Sequence, residues 1–127
     1  MARVDPWERV TRIQNAATWS FDFFNNTSVE LAKSSFPEPE IFMAEVGWPT
    51  NSSSSLLNPS AASVENLQIF INNFVCTANT QGVKYFFSEY MDSPWRKVRY
   101  SGITGSWGLF NSDRTLKAIT LPDCVHV

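Results

Sequence analysis

The chain has a single histidine, His126, beside its C-terminus, and only two cysteines, Cys76 and Cys124. Neither a Cys-x-x-Cys pair nor a His-Glu-x-x-His motif occurs, so a zinc site, or any other metal site, is not expected. No Gly-x-x-x-x-Gly-Lys or Gly-x-Gly-x-x-Gly loop is present to cradle a phosphate, which removes the sequence basis for a nucleotide or other organic cofactor. A Gly-x-Ser-x-Gly turn for a nucleophilic serine is missing as well. Charge is sparse, 17% of residues with a net charge of −2, and no basic block offers the electrostatic footprint of a nucleic-acid binder. No apolar run approaches the length of a membrane-spanning helix. Met1 to Trp7 lead into no apolar segment, so they do not read as a signal peptide.

What the chain does have is apolar and aromatic. Hydrophobic residues make up 43% of the 127 positions, with five Trp and ten Phe, a globular composition of one-domain length. Arg3-Val4 reads as the tail of a strand entering a turn at Asp5-Pro6-Trp7. Residues 15–24 have helical spacing, and Asn25-Asn26-Thr27 is expected to end that helix, with 29–33 a further short turn or strand. Phe36-Pro37-Glu38-Pro39 cannot continue a helix. Residues 40–45 form an unbroken, mainly apolar run, as in a strand buried on both faces. A Ser/Asn loop covers 48–59. The spacing of Val64, Leu67, Phe70, Ile71, Phe74, Val75 and Ala78 predicts a helix over 60–81, with Ser60 or Ser63 as N-cap and Gly82 just past its end. A strand follows over 83–87, then a Gly-bearing loop at 100–107 and a short ambiguous segment at 115–119. Strand, helix, strand, helix, strand is the alternation of βαβ units, hence an α/β chain with a parallel sheet.

Other features point to secretion. Asn25, Asn26 and Asn51 each head a glycosylation sequon. Cys76 and Cys124 could pair in an oxidising compartment; the other reading is two buried thiols. A body with secretory features and no leader leads to the expectation that the N-terminal part is missing.

Parallel strands carry their functional loops at their C-terminal ends. Glu45 ends its apolar strand and is followed by Gly47-Trp48-Pro49; Glu89 lies near the end of the next. A carboxylate so placed can attack or protonate an acetal. It can equally form an ion pair with a nearby Arg or Lys. Trp48 can stack on a sugar ring or plug the strand end. Asp92 can bind sugar hydroxyls or cap the loop through Pro94. Trp95 and Arg96 can line a groove or decorate the surface, and Tyr85 and Trp107 read as packing residues.

The stretch Ala44-Glu45-Val46-Gly47-Trp48-Pro49-Thr50-Asn51 resembles the nucleophile signature of glycoside hydrolase family 17, the 1,3-β-glucanases. The resemblance to fungal cell-wall members continues through the helix at 66–79, Lys84 to Arg96, Trp107-Gly108-Leu109-Phe110 and Leu121-Pro122-Asp123-Cys124. It covers nearly the whole chain, from about Val4 to Cys124.

The resemblance implies a (β/α)₈ barrel and a retaining mechanism with Glu45 as nucleophile. Glu89, Asp92, Trp95 and Trp48 become substrate-cleft residues, and Cys76 and Cys124 a disulfide. The implied partner is 1,3-β-glucan, the setting extracellular or cell wall, the parent protein a monomer, with no cofactor. A full barrel takes ~250 residues. Residues 1–127 are therefore expected to be a partial catalytic domain, about three βα units, carrying the sixth to eighth strands. The simplest account is a truncated gene model or a gene fragment, with Met1 a false or secondary start. Three departures stand out: no Asn-Glu acid/base pair lies upstream of Glu45, Asp5-Pro6 stands where fungal members tend to have His-Pro, and Ser93 stands where they tend to have Glu. The first implies that this chain alone does not hydrolyse glucan. A catalytically inactive β-glucan-binding or wall-structural protein is the alternative.

Overall fold

The structure, a computed structural model, describes residues 2–7, 9, 11–52, 61–95 and 105–124. Three short strands, β1 (Ala2–Arg3), β2 (Met43–Val46) and β3 (Tyr85–Phe87), form a parallel sheet in the order β1-β2-β3. Parallel neighbours need a crossover, and helices supply both. Helices α1 (Ile13–Phe24) and α2 (Glu30–Lys33) lie between β1 and β2, and α3 (Val64–Gln81) between β2 and β3.

The apolar stripe foreseen on α3 is the face it buries: Leu67, Phe70, Ile71, Phe74 and Ala78. Ser63 caps the helix by accepting from the Asn66 N–H at 3.0 Å, and Gly82 closes it with a left-handed φ of 67°. On α1, Ile13, Ala16, Ala17, Phe21 and Phe24 form the matching stripe. The two helices meet through the stacked rings of Phe21 and Phe74, 5.0 Å apart.

The first helical region does not end at Asn25-Asn26-Thr27. A π-helical stretch, Asn25–Val29, joins α1 directly to α2. Asn25 keeps right-handed helical angles, and Thr27 Oγ1 donates to the Phe23 carbonyl one turn back, satisfying its hydroxyl within the helix. The side chains that favour turns are absorbed instead of breaking the chain.

Helices cover one face of the sheet, where Tyr85 packs edge-on against Phe74 and Phe87 against Phe70. By strand alternation Phe86 points the other way; it pairs with Phe42 and is largely exposed. Among the described residues, the helices thus cover one face of the sheet, and the other carries the exposed Phe86 and the half-buried Phe42.

Candidate active site

The C-terminal edge of the sheet gathers Asp5 after β1, Glu45 as the next-to-last residue of β2, and the segment 88–93 after β3. Its main irregularity is in β2. Met43 pairs with Tyr85 and Val46 with Phe87, so three steps on β2 match two on β3. The extra residue makes a β-bulge, and Glu45 within it has a left-handed φ of 59°. The bulge resets the pleat. Met43 and Val46, three apart, are both fully buried, while Glu45 turns outward at the sheet edge. There Arg3 Nε lies 3.2 Å from Glu45 Oε2, and Arg3 Nη2 lies 3.3 Å from Asp5 Oδ2. The ion-pair reading of Glu45 is therefore realised, on a strained and displaced backbone.

The chain then passes Ser88 closely. A Cβ on Gly47 would lie 2.1 Å from the Ser88 carbonyl oxygen, so only glycine fits. The segment after β3 pairs with the segment from Trp107: Glu89 N–H donates to the Trp107 carbonyl at 2.9 Å, and Leu109 N–H to the Glu89 carbonyl at 3.0 Å. The Ser88–Glu89 peptide is cis. The half-buried Glu89 side chain accepts from Ser93 Oγ at 3.2 Å.

Two expected sugar contacts take other roles. Trp48 is 0% exposed and cannot stack on a ligand. Its indole N–H donates to the Ala61 carbonyl at 3.0 Å, Trp7 meets it edge-on at 5.2 Å, and Phe70 lies 6.3 Å away. It plugs the strand end because the turn at Gly47 folds it back over the start of α3. Asp92 is spent on the protein's own chain. Its Oδ1 accepts from the buried ammonium of Lys117 at 2.7 Å and from the Gly108 N–H at 2.9 Å. Lys117 Nζ also donates to Thr50 Oγ1 at 2.9 Å, so one cation joins the loops after β2 and β3 to the C-terminal segment. Trp95 keeps the surface position that a groove residue needs, 56% exposed.

Asn25, Asn26 and Asn51 are exposed, the first two on the π-helical stretch. Cys76 of α3 and Cys124 form a disulfide. Trp107 is buried, and Tyr85 is half-buried with its hydroxyl pKa raised by desolvation. Arg96, His126 and Ser60 lie outside the described residues. Among the described residues no three His, Cys, Asp or Glu side chains gather as a metal site, and no helix is long and apolar enough to cross a membrane.

Sequence reasoning missed Arg3 and Lys117 as organisers. Their partners are up to 67 residues away, and only the sheet register and the returning C-terminal segment bring them together.

Solved structures share this arrangement. An active-site mutant of Rhizomucor miehei β-1,3-glucanosyltransferase in complex with laminaritriose superposes with a TM-score of 0.71 at 24% identity, over 94% of this chain and 41% of that one. An endo-laminarinase from Formosa gives 0.69 at 19% identity, over 92% and 36%. The chain thus has the α/β fold of the matching part of these two proteins. More narrowly, residues 2–108 match the BtgE/BtgC glycoside hydrolase domain, and the chain belongs to that family. A relative from Aspergillus terreus, "Probable glucan endo-1,3-beta-glucosidase btgC", is 32% identical over 98% of this chain, and the Emericella nidulans glucan endo-1,3-beta-glucosidase btgC is 29% identical over 98%. The chain spans about a fifth of the length of these curated relatives, 21% of each.

Proposed function

We propose that this chain is part of a retaining 1,3-β-glucan-processing enzyme in which Glu45 is the nucleophile. Residues 1–127 form a partial catalytic domain whose three strands are the sixth to eighth of a (β/α)₈ barrel. All-parallel sheets belong to folds that cover both faces, so the exposed Phe86, paired with Phe42 on the face opposite the helices, supports a section of a barrel wall turned inward. The names of the relatives support 1,3-β-glucan as substrate; the proposal further sets the parent, as a monomer, in the extracellular space or cell wall.

The carrying observation is the bulge at Glu45. Strained residues and bulges cluster where a side chain must be aimed for function, and this one directs a carboxylate out of the C-terminal edge of a parallel sheet. In the reaction, a Glu45 oxygen bonds to the anomeric carbon while the glycosidic C–O bond breaks. Its electron pair leaves on the aglycone oxygen, which takes a proton from an acid residue. That residue is not in this chain, since no Asn-Glu pair precedes Glu45. Water or a glucan hydroxyl then releases the glycosyl ester, giving hydrolysis or transfer. Glu89 and Trp95 contact substrate, Trp48 and Asp92 support the loops from behind, and neither step uses a metal or organic cofactor.

A substrate that needs no acid tests this. With 2-deoxy-2-fluoro-β-laminaribiosyl fluoride, the C1–F bond breaks with its pair on fluoride, and the 2-fluoro group slows release. Intact-mass analysis should show one glycosyl adduct, mapped to Glu45 and absent in Glu45→Gln. No adduct, or one elsewhere, overturns the assignment. The missing acid also favours a second reading, an inactive β-glucan-binding protein, marked by retention on insoluble 1,3-β-glucan without any adduct.

A further inference from the structure

We propose that Arg3 is a positioning residue for Glu45, held in place by Asp5; the inference rests on the nucleophile reading above. Strand register sets Arg3 beside Ala44, so its side chain reaches the neighbouring Glu45 directly. Its guanidinium spans two carboxylates, Nε toward Glu45 Oε2 at 3.2 Å and Nη2 toward Asp5 Oδ2 at 3.3 Å. The two ends differ. The Asp5 side chain is only 10% exposed and those of Arg3 and Glu45 about 60%, at 60% and 59%.

Asp5 is thus the fixed end. It precedes the buried Pro6, whose ring restricts its backbone, and Trp7 behind it packs on Trp48. Arg3 transmits that fixed point to Glu45, whose own backbone is held by the bulge. Oε2 is committed to the guanidinium, which assigns the attack to Oε1. A lysine could not replace this bridge, because an ammonium lacks the planar fork that meets two carboxylates at set angles. Asp5 thereby acquires a role as the anchor.

The readout is the rate of adduct formation at Glu45 from the 2-fluoro glycosyl fluoride, which requires only aim and attack. Misplacing a reacting group by an ångström costs up to about 100-fold. Arg3→Ala is expected to slow adduct formation by roughly 10- to 100-fold with unchanged half-saturation by the donor. Millimolar guanidinium should restore much of the Arg3→Ala rate and leave the wild-type rate unchanged, since the free ion can occupy the vacated position. Should Arg3→Ala not fold, Arg3→Lys serves: it keeps the charge, loses the fork and should be slower than wild type. Wild-type rates in the folded variants, or a slowed Arg3→Ala that guanidinium does not improve, overturn the proposal and leave the nucleophile reading intact. A wild-type protein without an adduct at Glu45 overturns both.

Discussion

The left-handed backbone at Glu45 makes a stability prediction independent of any sugar. A side chain with a Cβ in this conformation costs about 1–2 kcal/mol, and glycine avoids that cost. Glycine also brings extra freedom to the unfolded chain, which takes back about 0.5–1 kcal/mol. Comparing Glu45→Gly with Glu45→Ala isolates the backbone, because both lose the Arg3 pair, itself exposed and contributing about 0–1 kcal/mol. Glu45→Gly should therefore be more stable than Glu45→Ala by about 0.5–1 kcal/mol, or roughly 2–4 °C in Tm for a chain of this size. Glu45→Asn should fall between them, since Asn tolerates the left-handed region better than most residues. Thermal unfolding by circular dichroism ranks the three. An alanine variant as stable as the glycine variant would refute the claim that this backbone is strained. A glycine variant gaining stability while losing the glycosyl adduct would place strain and function at one residue, the expected trade at a functional site.

Four further outcomes follow from the packing. Trp48→Ala should cost about 3–5 kcal/mol in chemical denaturation, as for a buried Trp, while Trp95→Ala should leave stability within about 0.5 kcal/mol and weaken glucan retention. Lys117→Met should lose about 3 kcal/mol by stranding Asp92, and adding Asp92→Asn should recover part of it in a double-mutant cycle, both read from urea midpoints. Replacing Cys76 and Cys124 by Ser opens a loop with a sequence separation of 48 and should cost about 4 kcal/mol on the chain-entropy account, measured by urea unfolding. Burial raises the Tyr85 pKa above its ordinary 10.0, so folding favours the neutral phenol; that stability is complete below pH 10 and is lost as pH rises through the folded value. Tyr85→Phe should therefore flatten the alkaline fall of Tm.

Much of the fold was legible because it depends on local periodicity. The stripe on α3, the Gly82 stop and the order of strands and helices all follow from side-chain spacing. α3 begins at Val64, after Ser63, one of the two caps, Ser60 or Ser63, foreseen for a helix over 60–81. The strand foreseen at 40–45 lies at Met43–Val46, because the bulge carries pairing past Glu45. Composition misled at Asn25–Thr27, where exposed polar groups fit a π-helical turn as easily as a break. At the site, the acid at the strand end could be read from residue order, but the burial of Trp48 could not. An indole after a Gly can go either way, and the choice was made by Phe70 and Trp7, which are distant in sequence. Asp92 and Lys117 are 25 residues apart, so their pairing belongs to tertiary structure alone.

The single ammonium of Lys117 sits where three segments meet, touching Thr50 after β2 and Asp92 after β3 from its own place in the C-terminal segment. In mechanical terms it is a rivet. Thr50 and Asp92 cannot move apart without pulling a charge off its partner, so the floor beneath the sheet edge behaves as one plate. Above it, at the rim, Arg3 and Glu45 meet in the open. The pair that aims the carboxylate thus stands in the open above a floor that is riveted in place.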